Sequence, residues 1–384
     1  MRHPSAAKKS NAMKRMTRTF ASICLLCLAA WQANAQTDLS AEGTANCYIV
    51  TGEGVYSFRA AVGNSGKPVT GMASADWLWQ TDRKLVSEVS YSGGTVTFRA
   101  GSMKGNAVIA ALDEGGNILW SWHIWATDDP RTDTHFAFEE RISFMDRNLG
   151  ATSTAVDDVA SYGLYYQWGR KDPFIGAEFA GSFDLSRRYE DTGFTEGTAL
   201  AFFNPAIRGT DWFTVVPNNS DRIETGKCVE YAIAHPTTFI GFSAESFESG
   251  KGSWFNDRYG RFDRLWGFIS SRRPVNKTIY DPCPPGWKVP ANSSEAWFGF
   301  ETAEPAGQLA GQVYYFKARP YYYPAAGTRR QTNGKLQYAG ASGIYWSATP
   351  NGVNAMSLRL EEEEIRINLR APRATGASVR CVRE

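Results

Sequence analysis

From Ala45 to Thr127 the chain runs in short stretches of alternating apolar and polar residues, each closed by Gly, Asn or Asp. The stretches are Cys47–Val50, Val55–Val62, Asp76–Trp79, Lys84–Tyr91, Thr95–Arg99, Asn106–Leu112 and Ile118–Ala126. A period of two puts successive side chains on opposite faces of a strand, whereas a helix needs a period near 3.6. Gly93-Gly94 and Asp113-Glu-Gly-Gly-Asn117 supply the turns between neighbouring runs. Seven such runs in so short a segment fit only a small β-structure with two packed sheets.

The last run carries the most information. Ile118, Trp120, Trp122, Ile124 and Ala126 share one face, and Leu119, Ser121, His123 and Trp125 share the other. The first set is the expected core face. Trp125 is expected to meet whatever follows the sandwich, and His123 to be an ordinary hydrogen-bonded histidine. Strand count and turn spacing suggest an Ig-like β-sandwich over 44–128.

Residues 129–137 read as a linker, with Pro130 discouraging regular structure before it. Beyond it the pattern is mixed. Short helices are expected over Val159–Trp168, capped by Asp157 or Asp158, over Val229–Ala234, stopped by His235-Pro236, and over Asn292–Phe300. Between them, 172–227 and 241–278 are long connections rich in Gly, Pro and aromatic residues. Met356–Leu360 and Ile365–Leu369 read as a hairpin, with Glu361–Glu364 as its solvated tip rather than a calcium site.

The first 35 residues read as a signal peptide. Six basic residues and no acid precede and enter an apolar run, Phe20–Trp31, and Ala33-Asn-Ala35 follows as a cleavage site. The run is shorter than the ~20 residues a membrane span needs. Without this segment, 35 basic residues stand against 39 acidic ones, a net charge of −4. No basic surplus remains to neutralise a phosphate backbone, so nucleic acid is not an expected partner. No transmembrane segment is expected in the mature chain. Cys47, Cys228, Cys283 and Cys381 remain after cleavage, with three pairings open to them. No metal-ligand spacing is present, and neither a metal nor a cofactor is expected.

Several segments carry a resemblance: FMDRNLGAT at 144–152, GLYYQWGRKDPF at 163–174, DPCPPGWKVP at 281–290, YYPAAG at 322–327, YWS at 345–347 and GASVRCVR at 376–383. In this order the set resembles the Fibrobacter succinogenes major paralogous domain family, found in exported proteins of Bacteroidetes, and covers roughly 138–384. The ending also resembles the wider C-type-lectin-like group, in which the terminal strand returns to the start of the domain. The resemblance implies a loop-rich α+β binding platform at the cell surface, in some members beside fimbrial subunits. The calcium-and-sugar signatures of true C-type lectins are missing. Within this frame Cys283 and Cys381 are the expected disulfide. The fold class is then mainly β plus α+β: the Ig-like sandwich followed by a C-type-lectin-like domain over 138–384.

For function the residues point to contact rather than catalysis. None of His123, His135 and His235 lies near a Gly-x-Ser-x-Gly elbow, and a hydrolase would have to draw on Asp146, Asp172, Glu230, Asp263 or Glu295. No catalytic residue is assigned. Trp212, Trp254, Tyr321, Tyr322, Tyr323 and Trp346 sit in loop-like segments, where flat rings can stack on sugars or anchor a protein. Arg329 and Arg330 follow as directed donors. The expected protein is a non-catalytic surface or fimbria-associated adhesion protein, exported to the outer surface. Its expected partners are a glycan, a host or surface protein, and fimbrial subunits. A structural subunit of a surface assembly and an extracellular hydrolase are the alternatives; the former calls for an open strand edge in the sandwich.

Overall fold

The computed structural model describes residues 36–137, 142–177, 201–207, 214–242, 252–257, 262–270, 275–291, 296–316 and 319–384. The signal peptide expected at 1–35, Trp212 and Glu295 lie outside them. The structure is mainly β, with 41% of residues in strands, 6% helical and one α-helix among those described. Asp38–Glu384 forms one compact unit.

The seven alternating runs become seven strands: β1 (Cys47–Val50), β2 (Gly54–Arg59), β3 (Ser74–Gln80), β4 (Val86–Ser92), β5 (Thr95–Ala100), β6 (Gly105–Leu112) and β7 (Ile118–Ala126). β2, β5 and β4 are neighbours in one antiparallel sheet, and β3, β6, β7 and β1 in another, with β1 parallel to β7. Between the sheets Phe58 meets Trp122 edge-on at 5.1 Å, within a core that also holds Trp120, Ile124, Phe98 and Ile109. From Trp120 on, that is the face of β7 expected to be core; at the start of the strand Ile118 packs instead on the other cluster and Leu119 on this one.

The other face of β7 is buried as well. Trp125 joins Ile49, Leu78, Trp79 and Val108 in a second core shared with Trp168, Trp254, Trp266 and Trp346 from the later part of the chain. Its indole N–H donates to the Ala151 carbonyl at 2.9 Å. The margins of the sandwich are also covered. Phe202–Phe203 pairs with β3 (Phe202 with Gln80, Phe203 with Trp79). Leu39 N–H donates to Ser57 O and Arg59 N–H to the Ser40 hydroxyl along β2. β4 is interrupted by a bulge with Glu88 at φ 53°, and all four residues of β1 are buried.

The later part is organised by β8 (His135–Ala137), β9 (Ile142–Phe144), β10 (Gly311–Phe316), β11 (Arg319–Tyr323), β12 (Ser342–Asn351), β13 (Asn354–Glu361), β14 (Ile365–Pro372) and β15 (Val382–Arg383). β13 and β14 form the expected hairpin, and Glu361 N–H closes its tip on Glu364 O. β15 pairs with β9 on one side (Val382 with Phe144) and with Trp287–Lys288 on the other. Cys283 and Cys381 are disulfide-bonded with their Cα atoms 6.0 Å apart, whereas Cys47 and Cys228 are buried free thiols. Around the bridge, Asp281 accepts from Cys283 N–H and Val289 N–H, and Asn46 Nδ2 donates to the carbonyls of Ile279 and Asp281. The disulfide loop is therefore tied to the start of β1.

One helix expectation needs correction, and a second falls largely outside the described residues. Val159–Trp168 makes only a 3-10 turn, Val159–Ser161, with the Asp158 carboxylate accepting from Ala160 N–H. Gly163 ends it at φ 73°, and a Cβ there would lie 2.7 Å from Leu149 O, so the chain turns sharply into Tyr166–Gln167, a strand. Of Asn292–Phe300, residues 292–295 lie outside the described set, and a 3-10 turn follows at Phe300–Thr302. The third helix forms as α1 (Cys228–Ala234). Its C-terminal carbonyls are met by the buried guanidinium of Arg170, which donates to Ala232, His235, Pro236 and Thr238.

Candidate functional site

The residues expected to form a binding platform are interior ones. Tyr321 and Tyr322 are 5% and 7% exposed, and Tyr323, Trp254 and Trp346 no more than 1%. Trp254 donates its indole N–H to Trp168 O and Trp346 to Tyr166 O, each at 2.8 Å. Arg329 is fully buried and donates to the carbonyls of Ile175 and Gly334, its burial pulling the guanidinium down to about 9. Arg330 alone of the described candidates is exposed. The open aromatic platform is thus corrected to core rings. In a loop-rich fold the indole and phenol rings fill space between distant segments, and their polar ends satisfy stray backbone carbonyls.

Tyr321 and Tyr323 help to enclose His135. Its ring stacks between Tyr321 at 4.5 Å and Phe144 at 5.2 Å, and its Nε2 lies 2.6 Å from the Tyr323 hydroxyl. Arg380, itself buried, sits 3.6 Å over the Tyr323 ring. Burial, reinforced by Arg380, holds the imidazole well below the ordinary histidine range.

A second polar cluster lies behind β7. Ser121 and His123 face away from the sandwich core, as expected from alternation; Ser121 meets Lys171 and Asp172, and His123 Nδ1 lies 3.5 Å from the Tyr166 hydroxyl. Lys171 Nζ donates to Ser121 O (3.1 Å), Ser121 Oγ (2.6 Å) and Asp172 Oδ1 (2.6 Å), and lies 4.5 Å from the Trp120 ring. Ser121 Oγ donates to the same Asp172 oxygen at 2.6 Å. Burial lowers the Lys171 ammonium, against the opposing pull of Asp172. Both side chains are under 5% exposed. Sequence reasoning missed this pair as a joint with the sandwich. The signal was a polar Ser in the middle of a Trp-rich strand whose two faces are both buried.

His123 Nε2 lies 2.9 Å from Asn106 Oδ1. Asn106 Nδ2 donates to Gly150 O, which leaves Oδ1 to accept and assigns the imidazole proton to Nε2. Burial pushes His123 down to about 3. Below the unfolded value near 6.5 the unfolded chain takes up a proton that the folded chain refuses, so stability falls with pH. Each pH unit between about 6 and 3 is expected to remove up to ~1.4 kcal/mol on account of this residue. Urea midpoints across that range check it. His123→Gln should flatten the slope, and an unchanged slope would rule His123 out as its source.

The other carboxylates singled out are engaged singly. Asp146 is held by Arg147 at 2.7 and 2.8 Å, Asp263 by Arg373 at 2.5 Å, and the exposed Glu230 faces Lys227 at 3.5 Å. No group of three His, Cys, Asp or Glu able to hold a metal occurs among the described residues. No helix among them is long and apolar enough to cross a membrane.

One aromatic residue does face solvent in a strained conformation. Tyr338 is 38% exposed at φ 58°, and its carbonyl accepts from Ala341 N–H and Ser342 N–H. A β-carbon in the left-handed region costs roughly 1 kcal/mol that a glycine would avoid. Its place two residues before Gly340 resembles many turns, and nothing in the local pattern singles it out. No family model, curated protein or solved structure matches the chain.

Proposed function

We propose that this is an exported, non-catalytic binding protein of the cell surface, fimbria-associated and directed at glycan or protein ligands. In this reading an Ig-like sandwich carries a C-type-lectin-like domain of the Fibrobacter succinogenes major paralogous type. The observation that carries the reading is how the ionisable groups are used. Asp146, Asp172, Asp263, His123 and His135 are each committed to an internal partner within a disulfide-pinned frame. A hydrolase would instead bring two such groups to a common opening. The return of β15 to β9 supports the lectin-like assignment. The covered sandwich margins argue against an open groove awaiting a donated strand, and so against the structural-subunit alternative.

Tyr338 is the contact residue this reading singles out, because an exposed ring retained at a backbone position suited to glycine fits a surface role. Residues 36–384 are to be screened on glycan and surface-protein arrays. Tyr338→Gly is expected to weaken capture at least fivefold while leaving stability unchanged or raised by up to ~1 kcal/mol. Turnover of an arrayed glycan or peptide would defeat the reading. Undiminished capture by Tyr338→Gly would remove that residue from the site.

A further inference from the structure

We propose that Asn351-Gly352 is a self-modifying site, where the chain converts a side-chain amide into a carboxylate and so loosens the grip of Arg373 on the β12–β13 hairpin. The sequence holds two Asn-Gly pairs, Asn333-Gly334 and Asn351-Gly352. Glycine after asparagine lets the following backbone nitrogen reach the side-chain carbonyl carbon, because no Cβ blocks the approach. The fold treats the two pairs differently.

At Asn333-Gly334 the reacting groups are held. Gly334 is buried, its N–H donates to Arg330 O at 2.8 Å, and its carbonyl accepts from Arg329 Nη1 at 2.8 Å. Asn333 Oδ1 accepts from Lys335 N–H at 3.1 Å. Asn351-Gly352 instead lies at the hairpin tip, where Asn351 faces Asn354 across a two-residue turn. Gly352 is exposed at φ 62°, with open space where a Cβ would stand. Neither its N–H nor the Asn351 side-chain amide makes a hydrogen bond among the described residues.

The reaction needs only water. Gly352 N loses its proton to water and bonds to Asn351 Cγ, the Cγ–Nδ2 bond breaks, and that nitrogen leaves as ammonia. Water then opens the cyclic imide at either carbonyl. One opening gives an aspartate side chain on the original backbone; the other gives a main chain that runs through Cβ and Cγ and is one carbon longer. Either product carries a new negative charge. The longer backbone displaces the residues after the turn. There Arg373 N–H donates to Val353 O at 3.3 Å and Arg373 Nε to Asn354 O at 3.0 Å. Asp263 and the Trp168 ring hold the far end of Arg373 in place, so the hairpin tip is what moves away.

The test is to age the full chain at mildly alkaline pH, native and in urea, and to follow amide-to-acid conversion at each pair by mass spectrometry of its peptides. Native conversion is expected to run roughly tenfold faster at 351 than at 333, and in urea the two rates should agree within about twofold. Wild type should accumulate an acidic species on isoelectric focusing that Asn351→Gln, whose longer side chain closes an imide far more slowly, does not. Hydrogen exchange of the aged chain should show protection lost over 353–361 while β6 and β7 keep theirs. Native conversion at 333 as fast as at 351 overturns the proposal, as does a preference that survives in urea, or conversion at 351 found only in urea. Protection over 353–361 that outlasts conversion overturns the loosening of the hairpin.

Discussion

Reducing the bond between Cys283 and Cys381 is expected to lower the unfolding free energy by about 4 kcal/mol. The bridge spans 98 residues, and closing a loop of that length restricts the unfolded chain by up to ~4.7 kcal/mol in the chain-entropy model. The folded side adds to this. The bridge fastens β15, the last strand, to the loop that Lys277 and Asp281 hold by hydrogen bonds, including Lys277 Nζ to the Cys283 and Pro284 carbonyls. Urea titrations with and without reductant, and of the Cys283→Ser/Cys381→Ser double variant, check the value. A loss below about 1 kcal/mol would mean that the loop is held without the bond. Labelling in denaturant without reductant should modify Cys47 and Cys228 and spare the bridged pair. In the folded chain burial pushes both thiols up, Cys228 to about 12, and makes them poor nucleophiles.

Removing the Lys171 charge alone should cost about as much. Lys171→Met leaves the Asp172 carboxylate in the seam behind β7 with only the Ser121 hydroxyl beside it, and stranding one partner of a buried ion pair typically costs ~3–5 kcal/mol. Replacing both members with apolar residues of similar volume, Lys171→Met with Asp172→Leu, should recover most of that loss. Equilibrium denaturation of the single and double variants forms the test. A single variant within about 1 kcal/mol of wild type would show that water enters the seam and solvates the carboxylate. A double variant no better than the single would show that Ser121 depends on the ions for its own hydrogen bonds.

The sandwich was legible because its information is local. Alternation along Ile118–Ala126 names both faces of β7 without knowledge of any other segment, and the structure uses both. The hairpin of β13 and β14 was legible for the same reason. The aromatic residues of the later part were not, because their surroundings come from far away in sequence. Tyr323 meets His135 across 188 residues, and Arg329 finds the Ile175 carbonyl across 154. A ring that closes such a contact looks the same in sequence as one left facing water. The Val159–Trp168 helix suggested by its capping aspartates stops after one turn because Gly163, by its backbone conformation and close approach to Leu149, turns the chain.

The two residues Phe202–Phe203 lie more than a hundred positions from the strand whose rim they seal. A fragment ending near Thr127 would lack them, and would also bare Ile49, Leu78 and Trp125 to water. Such a fragment would present a raw β-margin next to an oily flank, conditions under which excised strands self-associate. Residues 129–137 are therefore a poor place to cut, and the first third of the chain relies on the rest to cover these surfaces.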